Sequence, residues 1–320
     1  MDVASFCAES RVLVVAGKGG VGKTTVTAAL ARMAAAAGLS VLVVELEGKS
    51  GLSEAFGSPG PLGYGTTEFR TTTAGAVRAR RITPDDALLE YLEDHGLQRI
   101  SRRLVSSGVI DVVSTAIPGL RDVLVLGKVK QLEQTGAADL VLVDAPATGH
   151  AVTFLTSARG LLDSARGGPV RSQAAEVVEM LSDPARCRVL LVTLPEEMPV
   201  SETIEAAYEL EDKAGIQLGP VVVNAWDQPP AGLDQPAGAA AARAGLALDD
   251  EVAARLDAAR RFRLDRHLLQ SAQVERLGRE LPLSQLHLPM LLTSAVGPAE
   301  VTELARTLAT EVEAMTAAAP

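Results

Sequence analysis

The segment Ala16-Gly17-Lys18-Gly19-Gly20-Val21-Gly22-Lys23-Thr24-Thr25 decides the fold. It satisfies G-x-x-x-x-G-K-[ST] and lies between an apolar run, Arg11-Val-Leu-Val-Val-Ala16, and a helical pattern, Lys23–Ala37. Strand, glycine-rich turn and helix in that order are the context this motif needs. Glycines let backbone N–H groups turn inward around phosphate oxygens, and the helix N-terminus adds the positive end of its dipole. Gly17, Gly19, Gly20, Val21, Gly22, Lys23, Thr24 and Thr25 are therefore expected to cradle a nucleotide's phosphates. Lys23 is expected on the β- and γ-phosphates and the Thr24 hydroxyl on Mg2+.

Working outward, short apolar runs alternate with helical patterns. Val41–Leu46, Leu140–Asp144, Val189–Leu194 and Val221–Asn224 read as buried strands, with Ala76–Ile82 and Leu286–Met290 as weaker ones. Near-continuous apolarity is what a parallel sheet covered on both faces demands. Helices are expected at Pro84–His95, Leu97–Ser106, Gly119–Gln134, Gly149–Ser164, Ser172–Leu181, Ser201–Lys213, from Asp249 to about Gly278, and Pro298–Glu313. The expected fold is α/β: a doubly wound, mostly parallel sheet of the P-loop NTPase type with helical insertions. Nucleotide motifs spread from Gly17 to Pro289 imply one domain over residues 1–320, with a helical insertion at about 84–134 and helices at about 149–181. Gly51–Gly75 reads as a long loop and Pro229–Gly245 as a low-complexity connector.

A second phosphate-side element is Leu140-Val-Leu-Val-Asp144-Ala-Pro-Ala-Thr-Gly-His150. Asp144 ends an apolar strand and fits the aspartate that holds Mg2+ through water; the plainer reading is a turn or capping Asp. Gly149 can bring a backbone N–H to a γ-phosphate, and His150 is either a switch residue or a capping side chain. Asn224, at the carboxyl end of a parallel strand, can reach a purine edge in the ligand crevice, or is a turn Asn.

These motifs carry a resemblance. Lys-Gly-Gly-Val-Gly-Lys-Thr-Thr, with its additional Lys18, resembles the deviant P-loop ATPases that dimerise on nucleotide. Asp-Ala-Pro-Ala-Thr-Gly-His resembles one branch of them, the arsenite-transporting (anion-transporting) ATPases and the ATPases that target tail-anchored membrane proteins. Ile117-Pro118-Gly119-Leu-Arg-Asp122, Val221-Val-Val-Asn224 and Leu288-Pro289-Met290-Leu291 extend the likeness from about Arg11 to Leu308. The resemblance implies ATP as substrate, ADP as product, and a catalytic set of Lys18, Lys23, Glu47 and Asp144. Lys18 would cross to a second subunit's phosphates, Asn224 would read adenine and Pro289 would wall it. Glu47 stands where the branch has an aspartate that orients the attacking water, in a segment that ends in the similar Leu52-Ser53-Glu54-Ala55-Phe56. A Glu is one methylene longer, so a slowed reaction, or ATP binding with little hydrolysis, is a second expectation.

Composition removes rivals. Lys+Arg is 30 against Asp+Glu 40, so the chain is acidic, which argues against nucleic acid as partner and against the DNA-partition or positioning ATPases. Aromatic residues make up 3%, too few for a base-stacking platform. The two cysteines, Cys7 and Cys187, fit no zinc clasp or three-cysteine arsenite site, and they argue for a reducing, cytoplasmic setting. No secretory leader or membrane-spanning stretch is read, so membrane contact is expected only through a partner or client. The six methionines are scattered, which leaves open whether the helical insertion is a client groove or ordinary helix packing. The expected assembly is a homodimer, or a heterodimer with a similar subunit, working on a protein client.

Overall fold

The computed structural model describes residues 2–46, 51–69, 75–94 and 119–317. In chain order these form α1 (Val3–Ala8), β1 (Val12–Gly17), α2 (Lys23–Ala36), β2 (Val41–Leu46), α3 (Leu52–Ala55), β3 (Thr67–Phe69), β4 (Val77–Ile82) and α4 (Pro84–Asp94). Then come α5 (Leu120–Gln134), β5 (Leu140–Ala147), α6 (Thr148–Ser164), α7 (Pro169–Ser182), β6 (Cys187–Thr193) and α8 (Glu197–Glu209). The last are β7 (Val221–Trp226), α9 (Ala237–Arg243), α10 (Asp250–Glu280), β8 (Gln285–Pro289) and α11 (Pro298–Ala317).

The strands make one eight-stranded sheet in the order β3-β4-β2-β5-β1-β6-β7-β8. Every pairing is parallel except β3 with β4. β1 and β2 are buried at every position, as strands covered on both faces must be. Alternate residues of β1 feed two cores. Val12, Val14 and Ala16 join Leu126, Leu155 and Met180 on one face. Leu13 and Val15 join Leu30, Met33, Leu304 and Leu308 on the other. The chain leaves β1 toward β2 on one side and crosses from β5 to β6 on the other. A crevice therefore opens at the carboxyl ends of β1 and its neighbours, where open α/β sheets bind ligands.

Two expectations need correction. Gly51–Gly75, expected as a long loop, contains α3 and the antiparallel strand β3. Leu52, Phe56 and Phe69 are buried, and the Phe56 and Phe69 rings lie 4.9 Å apart. Scattered apolar residues in a Gly/Thr background carry no period, so this order comes from tertiary contact. Pro229–Gly245, expected as a connector, contains α9, whose Ala237 N–H donates to Asp257 Oδ1 at 2.9 Å. Its alanines have the strongest helix preference of any residue, which low complexity concealed. The weaker strand candidates are both present, as β4 and β8. Within the helical insertion α4 packs on α5. The expected helix Leu97–Ser106 and the segment Ile117-Pro118 lie outside the described residues. Among the described residues no helix is long and apolar enough to cross a membrane.

Candidate functional site

The glycine-rich loop emerges from β1 at the sheet's carboxyl edge. Gly17 has φ +150°, and a Cβ there would lie 2.2 Å from the Val192 carbonyl oxygen on β6, so only glycine lets the two strands run together to this point. Gly22, with φ +89°, caps α2, and a Cβ there would sit 2.3 Å from Asn224 Nδ2. That amide donates to the Val21 carbonyl at 2.9 Å, stitching β7 to the loop. Asn224 thus stands against the loop, with its amide N–H turned to protein backbone. Gly19 and Gly20 form the exposed tip, and Thr25 is half-buried in the first turn of α2.

Lys23 is buried, and its ammonium donates to the Lys18 carbonyl at 2.8 Å. Thr24 Oγ1 donates to Asp144 Oδ2 at 2.7 Å, and Asp144 is fully buried on β5. The loop and the β5 end are neighbours throughout: Ala147 lies in register with Gly17. Gly149 and His150 follow, exposed in the first turn of α6, whose N-cap residue Ala147 makes no side-chain cap bond. Burial raises the pKa of Asp122 on α5, opposed by Arg121 and His150. Glu47 lies outside the described residues.

Glu45, one strand over, lies in register with Asp144, so both side chains leave the sheet on the α2 face. It is buried, and its Oε2 accepts from Arg81 Nη2 at 2.9 Å and Nε at 3.2 Å. Its Oε1 is buried and has no hydrogen-bond partner among the described residues. The residues fit Mg2+ and a phosphate chain. A hydroxyl and a carboxylate, the hard oxygen donors Mg2+ takes, already converge at Thr24 and Asp144. Among the described residues a second carboxylate oxygen close by in the sheet is unsatisfied, and the Lys23 ammonium donates to the Lys18 carbonyl at the loop.

Lys18 does not project freely. Its ammonium forms an ion pair with Glu202 Oε1 on the second turn of α8. Pro289 helps line a cavity of about 320 Å³ with Trp226, Arg263, His287 and Met290. Ala225 adopts φ +54°, a left-handed conformation, where β7 and β8 slip register. The Trp226 Nε1 is buried without a partner. His287 is pushed toward lower pKa by burial, against the pull of Glu311 at 3.3 Å.

The following residue, Asp227, is gripped by α10 at three points. Its carboxylate accepts from Arg263 Nη2 at 2.5 Å, its N–H donates to Gln270 Oε1 at 3.0 Å, and its carbonyl accepts from His267 Nδ1 at 3.2 Å. Positions 263, 267 and 270 form one stripe of a helix. Of the groups that sequence reasoning missed, Trp226 had a signal: it is the chain's one tryptophan, two residues past Asn224. Glu202 and the α10 stripe had none, since their partners lie far off in the chain. Cys7 and Cys187 are both free and buried, in α1 and at the start of β6.

Comparison with known proteins adds the following. Residues 10–163 match the sequence model of a family described as anion-transporting ATPase. The chain is 40% identical over 222 residues to ATPase BagA of Mycobacterium tuberculosis, which covers 67% of this chain and 64% of that protein. It is 31% identical over 143 residues to ATPase get3 of Schizosaccharomyces japonicus, 45% of this chain and 42% of that protein. It is 28% identical over 221 residues to an arsenical pump-driving ATPase of Escherichia coli, 68% of this chain and 35% of that protein. The match thus spans under two thirds of each of these relatives.

Proposed function

This chain resembles the anion-transporting ATPases, and from that premise we propose that it binds Mg·ATP, hydrolyses it to ADP and phosphate, and acts as a nucleotide-driven dimeric switch. The observation that carries the reading is the meeting of Thr24 and Asp144 at 2.7 Å, beside a buried Lys23, at the carboxyl ends of β1 and β5. Each of these groups is held by backbone elements of the sheet centre, which supports a pre-positioned phosphate site.

In this reading Lys23 exchanges the Lys18 carbonyl for β- and γ-phosphate oxygens, and the loop N–H groups bind the phosphate chain. Thr24 and Asp144 would hold Mg2+, which would supply charge neutralisation on those oxygens. Asn224, bonded to Val21, fixes the loop's last turn against the base side, where Pro289 forms a wall. Gly149 offers its backbone N–H toward the γ-phosphate. Glu47 orients the attacking water, so the longer side chain sets the hydrolysis rate. Lys18 reaches the phosphates of a second copy, or of a similar subunit, and closure of that pair acts on a protein client.

Calorimetry with Mg·ATP and single-turnover hydrolysis test this together. Wild type should bind and turn over, and Glu47→Gln should bind and stall. Glu47→Gln turning over like wild type would remove Glu47 from its role, and absence of Mg·ATP binding by wild type would remove the reading itself.

A further inference from the structure

Lys18 is held at both ends. Its carbonyl accepts from the Lys23 ammonium at 2.8 Å, and its own ammonium is paired with Glu202. The second hold has a simple origin in the fold. Gly17 lies in register with Val192, so β1 and β6 end side by side. The residue after β1 is Lys18, and α8 starts a few residues after β6, which places its second turn beside the loop. α8 is kept there from its other side by α10: Arg276 Nη1 donates to Ser201 Oγ at 3.1 Å, and Tyr208 Oη donates to the Glu280 carbonyl at 2.9 Å. Both partners of the ion pair keep a third of their side-chain surface in solvent.

We propose that Glu202 is the resting counter-ion of Lys18, and that Lys18 must leave it to engage a second subunit's phosphates. This rests on the role given to Lys18 above. The two holds release in order. A bound nucleotide draws Lys23 onto phosphate and frees the Lys18 carbonyl. The Glu202 pair then remains as the contact that a second nucleotide-loaded subunit has to outcompete. Glu202 is therefore a positioning residue that sets the nucleotide concentration at which two copies join. A pair this exposed is weak, worth about two- to fivefold in an equilibrium constant. That size suits a threshold, which a tight buried pair would turn into a block.

The test uses the full chain, Mg2+ and the non-hydrolysed analogue AMPPNP, with assembly followed by sedimentation velocity. Glu202→Gln should lower the AMPPNP concentration at half-assembly by about two- to fivefold. In a Lys18→Ala background the same substitution should leave the midpoint unmoved, because Glu202 acts only through Lys18. An equal shift in both backgrounds, or no shift in either, overturns the proposal. A second readout needs no assembly. Acetylation of Lys18 in nucleotide-free protein, measured by mass spectrometry against Lys213 in the same chain, should speed up in Glu202→Gln, and an unchanged rate removes the ion pair as the cause. If Lys18→Ala assembles like wild type while Glu202→Gln still accelerates acetylation, the role given to Lys18 fails and the proposal falls with it, although the pair is real.

Discussion

Two buried glutamates, one near each end of the sheet, are both bound by arginine, and they are treated in opposite ways. Glu133, at the strands' amino ends, has both oxygens occupied. Arg186 Nη2 reaches Oε2 at 2.7 Å, and Arg11 Nη1 and Arg186 Nε each reach Oε1 at 3.4 Å. Glu45, at the carboxyl ends, gives one oxygen to Arg81 and leaves the other buried and idle. A closed network is what a structural ion pair looks like, because every lone pair that lost water has regained a donor. An open one is out of balance among the described residues, and it lies in register with Asp144. The contrast separates two uses of one residue type at the same depth: a closed network at the amino ends and, among the described residues, an open oxygen at the carboxyl ends, beside the proposed phosphate site.

The largest effect should come from breaking the closed network. Glu133→Ala leaves Arg186 without its main partner and a gap where the carboxylate packed, and urea denaturation should show a loss of about 2–3 kcal/mol. Mg·ATP affinity of the protein that remains folded should stay at the wild-type value; a joint fall would mean that the two ends are coupled. Lys23→Ala should do the reverse, keeping the denaturation midpoint while calorimetry shows Mg·ATP affinity lower by about 1.5–3 kcal/mol, the worth of hydrogen bonds from a charged group.

Gly22→Ala forces a Cβ onto the Asn224 amide at a left-handed backbone position. It should cost about 1–2 kcal/mol in thermal unfolding. Unlike the other two, it should weaken Mg·ATP binding as well, since it disturbs loop and strand together. The smallest effect is at the cysteines. Burial pushes both thiols up to about 12, so neither should react with a thiol reagent in folded protein at pH 8, and both should react in urea. Because the unfolded thiols ionise first, the native state binds more protons there and stability should fall as pH rises above about 9. A thiol that titrates quantitatively under native conditions would place one of these segments at the surface.

Much of the open end was legible in the sequence. The β1 run, the glycines, Lys23, Thr24 and Asp144 are local patterns whose chemistry follows from spacing, and the sheet gathers them as the pattern requires. Asn224 was legible as a residue at a strand's carboxyl end, but its amide's bond to Val21 was not, since nothing in Val221–Asn224 marks a loop some two hundred residues away. The same holds for Arg81 on Glu45 and for Glu202 on Lys18: each pairing is set by strand order and helix placement rather than by neighbours in sequence. The aromatic contact of Phe56 with Phe69 was hidden for a related reason, because two apolar residues thirteen apart form no periodic pattern.

Trp226 has a use beyond its place in the cavity wall. It is the chain's one tryptophan, its ring lies 4.4 Å from that of His287, and its indole N–H is buried with no acceptor. An indole's emission wavelength follows the polarity and hydrogen bonding around it, so light excited at the red edge of indole absorption, where the three tyrosines do not absorb, originates beside Pro289. Intrinsic fluorescence therefore becomes a label-free optical probe of the proposed base side, built into the wild-type chain. In the proposed reading it would time nucleotide arrival in a stopped-flow instrument with no engineered dye.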